Sequence, residues 1–472
     1  ETVVGGGRSN TAEEQGVTVA GGRENVGSGL LSSVGGGMQN TVAGVYGLIG
    51  GGYENSAGGY AAVIGGGNAN SIATDYTAIL GGYANKLLKK YTFIGGGTSN
   101  TVNAEASLVV GGRENMVTGD YSSIGGGWLN DISLKFTNIG GGYSNSAHGY
   151  ATLIGGGTHN SLQGKYSVVV GGNQNNITEQ FCFIGAGSSN TVAEREASIV
   201  GGQHNKAAGI ASWVVGGNHN TVTGAHAGIG GGWRNAGVGA YTVVFGGYRN
   251  TAADLGALIA SGSDNFNSGQ WAIVTGGIRN NVSDAKYSTI SGGYDNLIVA
   301  NDESVIGGGH SNTVTGKASL IAGGSFNTVS GDSSVVGGGY LNVVTDAFIT
   351  IAGGHRNTVI AAGAAVAGGA HNHLSASYTV VAGGHHNNIS AADAVISGGN
   401  YNSAGGIKAV IGGGQHNAAN GFAATVAGGT HNSAVVSNAV IGGGWKNKVS
   451  GTYSTVAGGY RNTLDGTGDA IG

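Results

Sequence analysis

One pattern of apolar and polar positions recurs every 15 residues along the chain. An Asn follows a Gly-Gly-x-x run at Asn10, Asn25, Asn40 and Asn55, and keeps this spacing to Asn280. It falls at Asn296 and Asn312 after one extra residue each, near Ala285 and Asn301, then resumes its period to Asn462. The chain thus holds 31 Asn-marked units. With Asn as position 1, the common form is N-T-V-x-G-x-Y-S-x-I-G-G-G-x-x, and Asn115 to Leu129 is close to it. Position 10 is always Val or Ile, as at Val19, Ile49, Ile64 and Val456. Position 3 is mostly aliphatic, position 8 is nearly always small, and position 13 is Gly in every unit that reaches it. Position 12 is Gly except at Ala186 and Ser261. Positions 1, 3 and 5 share one side and positions 8, 10 and 12 share one side, and a period of two predicts strands.

Two strands of about five residues per unit are too short to stand alone as a hairpin. Stacked in parallel, each unit pairs its backbone with the units before and after it. The predicted fold is therefore all-β: a parallel β-solenoid, or β-roll, of about 31 coils, with residues 1–472 forming one continuous domain and 16-residue coils at 280–311. At about 4.8 Å per coil the expected rod is roughly 150 Å long. The sequence has no Pro, as expected where strand N–H groups are needed for the ladder. The glycines at positions 12 and 13 are expected to supply a positive-φ turn or a close backbone approach.

Composition narrows the partners. Gly contributes 101 of 472 residues, only 9% are charged and the net charge is −4. Without Pro the chain is not collagen, and at 40% apolar residues it is not a charged disordered tail. So few basic groups predict no nucleic-acid or anionic-lipid partner. Cys182 is the single cysteine, which excludes an intrachain disulfide. No apolar run is long enough to span a bilayer, so no direct membrane contact is expected of this segment. The first residue is Glu1, so a processed or partial chain is expected, with secretion and anchoring encoded elsewhere.

Position 9 faces outward by alternation, yet it is bulky and apolar in 18 of 31 units, including Leu48, Val63, Phe93, Leu108, Leu153, Phe183, Trp213, Leu258, Val335 and Val440. Position 11, on the same side, is uncharged. Such a stripe exceeds the few hundred Å² or so that a monomer ordinarily exposes. The same face of identical chains in a closed cyclic assembly is the simplest cover. The segments Ser123-Ile124-Gly125-Gly126-Gly127 and Leu153-Ile154-Gly155-Gly156-Gly157-Thr158-His159-Asn160 resemble the triple-Gly head repeats of trimeric autotransporter adhesins. The resemblance covers essentially the whole chain. It implies a left-handed parallel β-roll assembled as a homotrimer, extracellular on a bacterial surface, meeting a host or surface protein or glycan. Similar repeats occur in phage tail fibres, which would place the chain in a virion. The half-repeat Asn-x-Val-x-Gly also resembles plant ice-recrystallisation inhibitors, but Lys86, Met116, Asp131, Lys206, Phe266 and Lys448 interrupt the position 2 row of Thr that ice binding needs.

Candidate chemistry is sparse. The glycine runs lack the Gly-Lys-Ser/Thr and helix of a phosphate loop and read as turns. Cys182 falls in the small inward slot, position 8, and is expected to be an inert buried thiol. The Asn column reads as an amide ladder or as residues suited to a left-handed turn. Seven of 13 histidines fall at position 15: His159, His204, His219, His371, His386, His416 and His431. Pairs such as His204 with His219 are expected about 4.8 Å apart. With His355, His373 and His385 nearby, a divalent metal or a response near pH 6 or so is conceivable, though an exposed turn tolerant of polar residues accounts for the column. A second column, at position 14, holds Tyr53, Tyr83, Trp128, Tyr143, Trp233, Tyr248, Tyr294, Tyr340, Trp445 and Tyr460, weighed as ligand-facing rings against packing. The position 7 tyrosines, such as Tyr76, Tyr121, Tyr166 and Tyr453, read as corner packing. No cofactor, metal or catalytic set is expected, and the expected function is a non-enzymatic adhesive rod.

Overall fold

The computed structural model describes residues 1–472. It contains no helix, and its strands build two parallel sheets that form a β-solenoid of about 31 turns with the expected period. Each coil contributes one strand at positions 2–3 and one at positions 9–10. Register is kept residue for residue: Thr41 pairs with Ser56, and Leu48 pairs with Val63. The strands are two residues long in nearly every coil, not five. A third parallel column, made of single-residue bridges at position 14, runs beside them, as between Tyr53 and Asn68. Left-handed residues cut each extended run short. In one coil these are Tyr46 at φ 58°, Gly52 at φ 101° and Glu54 at φ 53°.

The chain divides into two compact units, Glu1–Arg234 and Asn235–Gly472. In the first, Ile49, Ile64, Ile79 and Ile94 line up behind one another and face Val42, Ile72 and Leu87, all with at most 1% of their surface exposed. The second repeats the arrangement with Ile306, Ile321, Val336 and Ile351 opposite Val314, Val329 and Val344. Each such side chain contributes about 1.5–3 kcal/mol on burial. Asn267 takes an apolar position 3 in the second unit. Its Nδ2 donates to Leu258 O and Ala272 O, and its Oδ1 accepts from Gly269 N, so the buried amide is satisfied. The two longer coils extend their strands to Asn281–Ser283 and Leu297–Val299, and the added pair Ser283 and Val299 absorbs the insertions.

The Asn column is an amide ladder. Asn115 Nδ2 donates to Gly111 O at 3.1 Å, to Gly127 O at 3.0 Å and to Asn100 Oδ1 at 3.1 Å. Its own Oδ1 accepts from Asn130 N at 3.1 Å. The left-handed conformation belongs to the residue before it, as at Glu114 with φ 54°. The two glycines of the preceding turn differ in kind. At position 13, Gly127 has φ 90°, and a Cβ would strike Gly142 O and Asn130 Nδ2. At position 12, a Cβ on Gly126 would meet nothing within 4 Å. Position 12 therefore does not point into the core, and space requires Gly only at position 13, while at position 12 Gly36, Gly292 and Gly413 meet the expected positive φ at 154°.

Candidate functional surfaces

With the core filled by positions 3, 8 and 10, any function falls to the outward rows. The sheet bearing positions 9 and 10 turns position 9 outward along both units. Leu48 (41%), Leu108 (37%), Leu153 (41%) and Phe183 (37%) are exposed, and Val63, Phe93, Trp213, Leu258, Val335 and Val440 are half-buried. Trp213 lies flat on the neighbouring coil, where a Cβ on Gly228 would enter its indole. Position 11 extends the apolar face with Leu80, Val110, Val170, Val200, Val215 and Phe245, each at least 50% exposed. Next to it the position 12 glycines form a bare backbone strip. From Gly6 to Gly458 a Cβ at position 12 meets no backbone atom closer than 3.8 Å. Ala186 and Ser261 sit there without a left-handed φ. Space within the chain thus does not require Gly at this position, although Gly6, Gly36, Gly292, Gly308 and Gly413, at φ 154° to 156°, hold a backbone conformation that favours it. None of the 20 basic, 24 acidic or 13 His residues occupies positions 9 to 13 of any coil.

The edge at positions 14 and 15 differs sharply. All arginines except Arg195, and all histidines except His148, His226 and His373, lie on it. The ten position 14 aromatics line this edge, and their faces are largely taken by neighbours. Trp128 tilts against Tyr143 at 5.0 Å, is covered by Arg113 at 5.1 Å and donates its indole N–H to Glu114 at 3.2 Å. Trp445 stacks on Tyr460 at 4.6 Å, with Lys446 over its ring at 4.2 Å. Arg234 lies over Trp233 at 4.1 Å, Arg249 over Tyr248 at 5.7 Å and Arg279 over Tyr294 at 4.4 Å. Tyr340 stacks on His355 at 5.3 Å. Tyr53 is half-buried and Tyr83 is 52% exposed. A hydrogen bond with Glu54 raises the Tyr53 hydroxyl above its usual range. What these rings mostly offer to a ligand is their edges.

The paired histidines stand where the coil spacing puts them: His204 and His219 at 4.7 Å, His371 and His386 at 4.7 Å, His416 and His431 at 4.8 Å. In the second unit they belong to an unbroken ladder in which each ring touches the next, running Tyr294, His310, Phe326, Tyr340, His355, His371, His386, Tyr401, His416, His431. His385 packs against His386 at 4.1 Å. All seven position 15 histidines, His159 included, are left-handed, with φ between 52° and 59°. His371 holds its proton less readily than an ordinary imidazole, first because of burial, then because of His386, His355, Arg356 and His385 around it. No group of three or more His, Cys, Asp or Glu side chains is arranged to hold a metal ion.

Sequence reasoning missed a second aromatic ladder. On the opposite turn of the first unit, Tyr46, Tyr60, Tyr76 and Tyr91 contact in series at 5.3 to 5.5 Å. Tyr121, Phe136, Tyr150, Tyr166 and Phe181 do the same at 5.3 to 5.6 Å. Tyr60 and Tyr150 come from position 6 and fill the gaps left by Ala61 and Ala151, which is why the row looks broken when position 7 is read alone. All of these rings but the half-buried Tyr150 are exposed, Tyr76 by 50% and Tyr121 by 54%. Salt bridges run alongside: Lys90 reaches Asp75 at 3.3 Å and Lys135 reaches Asp120 at 2.9 Å. The Asp120 carboxyl is held below its usual range by the Glu105 amide and then by Lys135.

Two groups invite a catalytic reading. Asp131 Oδ2 lies 2.7 Å and Ser146 Oγ 3.0 Å from His148, but both reach the same ring nitrogen, Nε2. A relay needs the carboxylate on one nitrogen and the hydroxyl on the other, so this trio has no relay geometry. Cys182 is buried, and its Sγ donates to Gln180 O and Glu194 O. Burial pushes the thiol above its usual range, which disfavours a thiolate. No helix of the chain is long and apolar enough to cross a membrane. No family model matches the chain, and no curated protein matches it in sequence.

Proposed function

We propose that this chain is a non-enzymatic, rod-forming segment that works as a homotrimer, the head of a trimeric surface adhesin exposed outside a bacterial cell. The observation that carries the reading is the outward face at positions 9, 11 and 12, which is free of charge in every coil, bulky and apolar at position 9 in 18 of 31, and partly bare backbone. A face left in water has no reason to refuse charge over so many repeats. Copies of the chain cover it, and the glycine strip lets their backbones approach closely. The repeat's resemblance to triple-Gly adhesin heads supplies the number three and the surface location. Adhesion then rests on many weak contacts summed along the repeats to a host or surface ligand. Light scattering on the purified chain tests the reading: a mass three times that of one 46.1 kDa chain is expected. A monodisperse monomer at micromolar concentration overturns it.

A further inference from the structure

The ring ladder of the second unit has a chemistry that assembly through the apolar face does not use. Between His310 and Arg461, positions 14 and 15 carry seven histidines together with Arg356, Lys446 and Arg461, and no carboxylate. Position 2, on the strand that follows this edge, adds His373 and Lys448 over the same coils and again no carboxylate. The acidic groups of these coils, Asp332, Asp346 and Asp393, all sit at positions 5 to 7, on the other turn. The edge therefore has a fixed positive charge that grows as its imidazoles protonate.

We propose that this edge, from His310 to Arg461, is a binding track for a linear anionic glycan, carboxylated or sulfated, and that it grips more tightly as the pH falls through the imidazole range. Ring contacts along the ladder occupy many of the imidazole faces, by stacking as between His371 and His386, 23° apart, and by edge-to-face contact as between His355 and His371, 87° apart. A protonated imidazole donates from both nitrogens, so the coils that carry His310, His355, His371, His385, His386, His416 and His431 present N–H groups to a row of anions, with Arg356, Lys446 and Arg461 adding charge along the same edge. A neutral sugar, which binds by laying its face on an aromatic ring, finds few open faces here. Single-stranded nucleic acid has the same need, because its affinity comes in large part from bases stacked on aromatic platforms. An acidic glycan needs only the charge and the donors.

Protonating neighbouring imidazoles 4.7 to 5.5 Å apart is opposed by their mutual repulsion. Around His371 the titratable and charged groups are His355, His385, His386 and Arg356, all positive when charged. The adjoining position 2 row offers Thr358, His373 and Asn388, and no counter-charge. A bound polyanion supplies the missing negative charge, so glycan binding and proton uptake favour each other.

The test is binding of the full chain to heparin and to polygalacturonate, with dextran as the neutral control and a single-stranded DNA oligonucleotide as the rival polyanion, at pH 5.5 and pH 7.5. Exposed charge pairs are individually weak, so seven of them predict roughly tenfold tighter binding at the lower pH, lost on raising the salt. Protons should be taken up on binding. The variant carrying His371→Asn, His386→Asn, His416→Asn and His431→Asn removes four of the seven imidazoles and should cut the pH effect from roughly tenfold to about threefold. Asn suits the left-handed position 15, and unchanged circular dichroism verifies that the coils persist. Arg356→Gln with Lys446→Gln weakens binding at both pH values. Binding to heparin but not polygalacturonate, or the reverse, fixes which acidic group is read. The proposal is overturned by pH-independent binding, by dextran or DNA binding as tightly as either acidic glycan, or by a quadruple variant whose pH response equals that of the parent chain.

Discussion

Positions 9 to 12 and positions 14 to 15 are neighbours in the same turn, and both reach the surface of the single chain. Val110 on the first is 55% exposed and Trp128 on the second 41%. One region refuses every ionisable side chain through the whole sequence, while two residues further on the chain gathers nearly all its arginines and histidines. Exposure measured on one chain therefore does not say which surface meets water in the working molecule. In the proposed trimer the distribution of charge marks it, because a desolvated ion costs several kcal/mol or so and a solvated one costs almost nothing.

Placing a charge on each region is the strongest way to break this contrast. Leu153→Glu is expected to abolish assembly, with light scattering falling to the monomer mass, whereas Ser144→Glu at position 15 leaves the mass unchanged. If both variants assemble normally, the charge-free face is not an interface. The two adjacent glycines sharpen the comparison. Gly127→Ala forces a Cβ into the Gly142 carbonyl at φ 90° and should cost about 3 kcal/mol in local stability by hydrogen exchange. Gly126→Ala should leave the isolated chain within about 0.5 kcal/mol of the parent, since its Cβ meets nothing. Gly126→Leu, by contrast, should weaken assembly without unfolding the coil.

Asn115→Ala tests the ladder that supports both regions. It leaves Gly111 O, Gly127 O and the Asn130 N–H without their amide partner. About 2 kcal/mol of local protection is expected to vanish in the adjoining coils, and unchanged exchange there would mean water replaces the amide. The smallest effect concerns pH. The folded chain binds the His371 proton less readily than the unfolded chain does. Stability is therefore complete above the ordinary imidazole range and is lost as the pH falls through the folded value. Melting of the second unit should come at a lower temperature at pH 5.5 than at pH 7.5, and His371→Asn should narrow the gap. A gap left unchanged would assign the acid sensitivity to other groups.

The fold was legible because its signal repeats. Val or Ile at position 10, an aliphatic at position 3 and Asn at position 1 recur so regularly that solenoid, parallel pairing and coil count follow from spacing. Strand length was not legible. The residues that end the strands are left-handed at positions 7 and 15, where Tyr46, Glu54 or His371 stands rather than Gly, and the backbone bonds between coils impose that conformation. Two glycines side by side looked equivalent because composition does not separate a φ requirement from a space requirement. The ladder through Tyr60 and Tyr150 was hidden because stacking depends on where a ring arrives, and a ring from position 6 arrives beside those from position 7.

The paired insertions at Ser283 and Val299 carry a rule about how such a chain can change length. Each added residue is matched in register by one in the next coil, and Ala300 N, beside Val299, donates to Ser283 O at 2.8 Å. A solitary insertion would sit opposite coils with no counterpart on either side and leave its amide and carbonyl stranded. Whole coils can be duplicated or deleted without upsetting any neighbour's register. A genome editing this gene is thus constrained to work in multiples of the repeat, or in adjoining pairs, and single-codon changes of length fall mainly where two coils have already agreed to widen together.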